Sequence, residues 1–249
     1  YDEPFADPSQ IPTYLVSSLA SKTVKVALSG DGADELFGGY NRYIWLNKIN
    51  KFPIPLRIIF AKFLNMFNPD QWDFIFDNLA HILPKLLRVS MPGHKAHKLA
   101  NILLAKNEFD VYEKIISFWE NPSELIINSN EKKFYRDKFF LFQKLEDIEE
   151  SMMAFDSISY LADDILCKLD RAAMNFSLET RTPFLDHDII DFSWKLPKEY
   201  KIDLKKGKGK IILRNILKKY CPTNLTERPK MGFGIPLEHW LRGPLKNWA

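Results

Sequence analysis

Val24–Leu28 is the one run in these 249 residues that reads convincingly as a β-strand. A lone strand cannot make a sheet, so its partners are hidden in segments that read as helical, or they lie outside this chain. The neighbours of the strand narrow the class further. Ile11, Tyr14, Leu15, Ser18 and Leu19 recur at helical spacing before it, and Ser21-Lys22-Thr23 forms a short turn. After it, a helix is predicted from about Asp34 to Lys48. A helix, a strand, a turn and another helix predict an α/β unit built on a parallel sheet.

The turn itself carries chemistry. A strand-to-helix turn offers free backbone N–H groups and the positive end of a helix dipole, which suits an anion. Gly30 and Gly32 would let the backbone come close to a ligand. No Gly-Lys-Ser/Thr follows, so the loop is not a Walker A loop, and Glu35 stands where a dinucleotide fingerprint needs its third glycine. Asp31, Asp34 and Glu35 would repel bare phosphate. They become favourable when Mg²⁺ lies between carboxylate and phosphate. The acidic loop therefore predicts a nucleotide handled as its magnesium complex. A purely structural alternative stands beside it, with Asp31 as a helix N-cap and Asp34 at the third helical position.

Further along, residues 46–150 read as a set of short helices separated by Pro53, Pro55, Pro69, Pro84, Pro92-Gly93 and Pro122, with no chemical motif. Ser151–Phe176 has a strong helical pattern, in which Asp164, Lys168 and Arg171 fall on one face at spacings of four and three. That face could orient a substrate or form an exposed ladder of ion pairs. Arg181–Asp186 reads as a turn, Asp186 as the cap of a helix through Trp194, and Lys205–Lys210 as a flexible basic stretch. Lys230 sits in a Pro/Gly loop, where a lysine can neutralise charge on a leaving pyrophosphate, or simply lie on the surface.

Charge and composition exclude little else. The 35 basic and 32 acidic residues give a net charge of +3, which offers no argument for a nucleic-acid partner. No apolar run approaches the roughly 20 residues of a membrane span. No signal peptide is visible, and no membrane partner is expected. Cys167 and Cys221 fit free thiols in a reducing, cytoplasmic compartment. The start at Tyr1 and the lack of a tail after Ala249 predict a piece of something longer.

Several blocks together closely resemble glutamine-hydrolysing asparagine synthetases. They are Asp2–Ser9, Ser29–Tyr40, Asp164–Arg171, Ser177–Asp186, and Arg228–Phe233 with Trp240, in the family's order. The resemblance implies an adenine-nucleotide α-hydrolase-like (ATP-pyrophosphatase) domain, a parallel sheet with flanking helices, here incomplete and mostly helical. Residues 1–249 would be part of that domain, with 46–150 a helical segment inside it. The first pyrophosphate loop, Ser-Gly-Gly-x-Asp-Ser, and the glutaminase domain would lie upstream. The implied reaction is ATP-dependent amidation of aspartate through β-aspartyl-AMP, using ammonia derived from glutamine, with ATP and Mg²⁺ as cofactors.

By the same resemblance Ser29, Gly30 and Gly32 would contact ATP, Asp31 would serve acyl-adenylate formation or attack, Asp34 would bind Mg²⁺, and Lys230 would stabilise leaving pyrophosphate. Asp164, Lys168, Arg171 and Glu179 are candidate substrate residues. A homodimer is left open. Two alternatives remain: an amidotransferase or cyclising synthetase acting on another carboxylate, as in surface-polysaccharide synthesis, and a non-catalytic remnant of the fold. In the cyclising relatives a Tyr-type residue tends to occupy the Asp31 position, so the acid favours amide transfer.

Overall fold

The computed structural model describes residues 1, 5–79, 91–117, 119, 145, 147–226 and 234–248. The chain divides into two units, one made of Tyr1–Tyr40 with Met153–Ala249, the other of Asn41–Met152.

In the first unit, β1 (Val26–Leu28) pairs in parallel with β2 (Glu179–Arg181), with Val26 opposite Glu179 and Leu28 opposite Arg181. The partner strand thus lies within a stretch read as an approach to a turn. Its three residues, Glu-Thr-Arg, carry no strand pattern; the ladder is set by the long-range pairing. Ser29 extends the ladder by donating its N–H to Arg181 O at 2.8 Å. Helix Gln10–Ala20 precedes β1 and packs against helix Cys167–Met174. Val26 and Leu28 remain 41% and 74% exposed.

The helix expected from Asp34 to Lys48 is instead two helices, Ala33–Leu36 and Asn41–Lys51. Gly38 separates them at φ +66°, a left-handed conformation that ends a helix. The first of the two is a single turn of four residues, so a helix dipole adds little to the loop before it. The basic stretch 205–210 is also more ordered than expected. It closes a small antiparallel hairpin of β3 (Ile202–Asp203) and β4 (Lys208–Gly209). Asp186 caps its helix as anticipated, accepting from Asp188 N at 2.9 Å. The long pattern of 151–176 is broken by a π-helical turn, Leu161–Leu166, between helices Ile148–Ile158 and Cys167–Met174.

The second unit is helical. Helices Ile54–Leu64, Pro69–Leu79 and Pro92–Leu103 meet in a core of Ala61, Leu64, Trp72, Ala100 and Leu103. The Trp72 indole donates to Leu64 O at 2.8 Å, so the largest core side chain satisfies its polar atom. Helix Glu108–Ile116 packs against Pro92–Leu103 and Asn41–Lys51. Its start is capped by Asn107, which accepts from Asp110 N at 2.9 Å.

Candidate functional site

The loop Ser29–Gly32 leaves the carboxyl end of β1, where ligands bind in open α/β sheets. Gly32 takes φ +87°, and a Cβ there would strike the Leu185 side chain, so only glycine fits. Gly30 faces open space. The Ser29 hydroxyl donates to an Asp31 carboxylate oxygen in a short contact, which fixes the carboxylate beside the strand end. A cavity of about 430 Å³ borders Ser29, Gly30 and Asp31, and Lys168 and Thr180 line it as well.

Asp34 lies one turn further on. Its Oδ2 is 2.8 Å from the Lys210 ammonium. Backbone packing enforces that pair. Lys210 N donates to Phe37 O at 3.0 Å, and Gly209 lies so close to Gly38 that any Cβ would overlap the Gly38 carbonyl. A Cβ on Gly39 would strike both Asp34 and Lys210. The β3–β4 hairpin therefore delivers one cation to the acidic loop. The next residue, Glu35, is 1% exposed and accepts from the Tyr40 hydroxyl at 2.7 Å. Burial pushes the Glu35 carboxyl above its usual range, despite the Tyr40 hydrogen bond that opposes the shift.

The third group centres on Lys168, which is buried rather than part of an exposed ladder. Its ammonium lies 2.6 Å from Asp7 Oδ2, 2.7 Å from Ser9 Oγ and 3.7 Å from Asp164 Oδ1. Burial pushes the Asp164 carboxyl up to about 6, the nearby Asp7 charge adds to the shift, and Lys168 opposes it. For Asp7, burial acts upward, but hydrogen bonds from Lys168 and Ser9 outweigh it and hold the carboxyl below its usual range.

The anticipated substrate residues do not all gather. Lys168 lines the cavity of the acidic loop, whereas Arg171 lines a separate cavity with Tyr14 and Asn175. Glu179 lies at the Val26 end of the strand pair, two residues back from Arg181, and pairs with that arginine at 2.7 Å on the surface. Lys230 lies outside the described residues. Sequence reasoning missed Asp7, Ser9 and Lys210 as site neighbours, and it counted Glu35 among the loop acids without its burial. The signal for Asp7 and Ser9 was their place in the block Asp2–Ser9; Lys210 was visible only as one lysine of a basic run.

Among the described residues no cluster of three or more His, Cys, Asp or Glu could hold a metal by itself. Asp31 and Asp34 offer hard carboxylate oxygens on one loop, and Asp34 is partly exposed. That donor set fits Mg²⁺ shared with phosphate, which takes one or two protein carboxylates and completes its shell elsewhere.

An acidic loop thus follows a parallel strand pair, and sequence comparison assigns the chain to a family. Residues 1–249 match the asparagine synthase family over their whole length, and the chain belongs to that family. It is 32% identical over 257 residues to asparagine synthetase [glutamine-hydrolyzing] 1 of Bacillus subtilis (strain 168), covering 100% of this chain and 37% of the relative. A putative asparagine synthetase [glutamine-hydrolyzing] of Mycobacterium tuberculosis (strain ATCC 25618 / H37Rv) is 32% identical over 253 residues, covering 100% and 35%. A putative asparagine synthetase [glutamine-hydrolyzing] 2 of Methanocaldococcus jannaschii is 33% identical over 190 residues, covering 70% and 30%. The chain thus spans about a third of the length of these curated relatives. No solved structure matches it.

Proposed function

We propose that this chain is the part of an ATP-pyrophosphatase-type synthetase domain that activates the side-chain carboxylate of aspartate, for amide formation with glutamine-derived ammonia. The observation that carries the reading is the acidic loop Ser29–Asp34 at the carboxyl end of a parallel strand pair, bordering a cavity that Lys168 also lines. Parallel strands are ordinarily covered on both faces within a larger sheet, so exposed Val26 and Leu28 support a strand pair that belongs to one.

In this reading the aspartate carboxylate displaces pyrophosphate from the α-phosphorus of ATP to give β-aspartyl-AMP. Ammonia then displaces AMP. By resemblance Asp31, which accepts a hydrogen bond from the Ser29 hydroxyl, would take a proton from the attacking ammonia as the amide forms. Asp34 would hold Mg²⁺, which would supply charge neutralisation between the loop and the phosphates. Lys210 keeps the Asp34 carboxylate aligned and partly neutralised before the nucleotide arrives. By resemblance, Lys230 would stabilise the departing pyrophosphate, a contribution of about 3 kcal/mol for one preorganised donor.

The test is aspartate-dependent pyrophosphate release by the intact protein with ATP, Mg²⁺ and ammonium chloride, compared with Asp34→Asn. Wild type releases pyrophosphate and forms asparagine, and Asp34→Asn loses at least about 10²-fold in rate with an unchanged circular dichroism spectrum. Release that depends on some other carboxylate, with none for aspartate, overturns the choice of acceptor. Undiminished release by Asp34→Asn reduces that residue to a partner of Lys210.

A further inference from the structure

Lys168 puts a full charge on helix Cys167–Met174 where that helix packs against Gln10–Ala20, and the residue is only 8% exposed. A buried ion pair is often no more stabilising than apolar side chains of similar volume. Val16, Ile165 and Leu169 line the same cavity as Lys168, so its wall accepts apolar residues. Packing alone gives no reason for the charge.

The ammonium is gripped by the segment that leads into helix Gln10–Ala20. Asp7 Oδ2 lies 2.6 Å from it and Ser9 Oγ 2.7 Å. Asp7 is fixed in turn by Ser9, whose backbone N–H donates to Oδ1 at 2.9 Å and whose hydroxyl donates to Oδ2 at 2.6 Å. A lysine ammonium has three N–H groups. Asp7 and Ser9 take two of them, and Asp164 Oδ1, at 3.7 Å, is outside hydrogen-bond distance. Among the described residues no acceptor takes the third. Lys168 lines the cavity that Ser29, Gly30 and Asp31 border, and it is the one cation among the described residues of that wall. An ammonium with an open N–H at a water-poor wall draws an oxyanion by a charge-assisted hydrogen bond.

We propose that Asp7 and Ser9 are positioning residues, which hold the Lys168 ammonium to receive an oxyanion of the substrates in this cavity. The proposal rests on the reading of the chain as part of a carboxylate-activating synthetase. Two sources offer the same chemistry, the carboxylate of the acceptor and a phosphate of the nucleotide. Asp7 and Ser9 restrain a long, flexible side chain in advance, so binding does not have to order it. A fixed cation that meets the same group before and during reaction acts on KM more than on kcat.

The experiment is steady-state pyrophosphate release by the intact protein with ATP, Mg²⁺, ammonium chloride and aspartate. Binding of ATP and of aspartate is measured separately by calorimetry. Asp7→Asn should raise one of the two KM values about tenfold, as expected for a weakened hydrogen bond to a charged group, and leave kcat within about twofold. A rise in the KM for aspartate assigns the oxyanion to the acceptor, and a rise in that for ATP assigns it to the nucleotide. Ser9→Ala should move the same KM in the same direction. It leaves both charges in place, so it keeps the proposal testable if Asp7→Asn fails to fold. In a Lys168→Met background Asp7→Asn should raise that KM no further, because Asp7 acts through the lysine. A purely structural pair would lower the melting temperature and the active fraction while leaving both KM values unchanged, and that result overturns the proposal. Wild type that releases no pyrophosphate with aspartate refutes the proposed function instead. ATP binding that weakens in Asp7→Asn would then still uphold the positioning role, and unchanged ATP binding would overturn it.

Discussion

Lys168 sits where a charged side chain survives only with partners, and two of them, Asp7 and Ser9, come from a segment some 160 residues away in sequence. Lys168→Met should therefore strand Asp7 and cost about 3 kcal/mol, the lower end of the range for a broken buried pair because both side chains keep some exposure. Denaturant titration measures this, and Asp7→Asn combined with Lys168→Met should recover part of the loss. Asp164 behaves in the opposite sense. Its folded-state value near 6 lies above the unfolded carboxylate range, so the native state holds the extra proton. Its contribution to stability is full below about pH 4 and is lost as pH rises through about 6. Asp164→Asn should accordingly raise the melting temperature at pH 7.5 and change it little at pH 4; a lower melting temperature at pH 7.5 would refute the sign. The spacing of Asp164 and Lys168 was legible in the sequence. Their burial was not, because the partner that decides it lies in another block of the chain.

At the scale of elements, short-range chemistry was readable and long-range pairing was not. The strand Val26–Leu28, the Asp186 cap and the helices at either end follow from local patterns. Strand Glu179–Arg181 exists because Leu28 and its neighbours pair with it, a fact that a tripeptide of two charges and a threonine does not announce. The helix break at Gly38 and the hairpin 202–209 are one event, since Gly209 sits against the Gly38 carbonyl. Gly209→Ala should thus displace the hairpin and cost about 1–3 kcal/mol as an overpacking change. An unchanged denaturation midpoint would mean that the hairpin does not seat there. The turn after Val26–Leu28 and its acids were legible, but Gly32 rather than Asp31 stands at the helix N-cap, and the Asp34–Lys210 pair required the hairpin to be seen.

Among the described residues, the second unit has a core of its own. Trp72→Ala removes the centre of the helical core and should destabilise that unit by about 3–5 kcal/mol. Hydrogen exchange should then quicken across residues 54–79 and 91–103, while amides of the β1–β2 ladder keep their protection; equal acceleration in both units would show that they melt as one. The first unit is assembled from residues 1–40 and 153–249, with the second carried between them. In connectivity, the second unit joins the first at two points only, near Tyr40 and Met153. Lengthening, shortening or resurfacing between those points leaves the acidic loop, the strand pair and Lys168 untouched. A lineage could therefore retune the helical unit by neutral steps, while selection on the chemistry held the rest of the chain still.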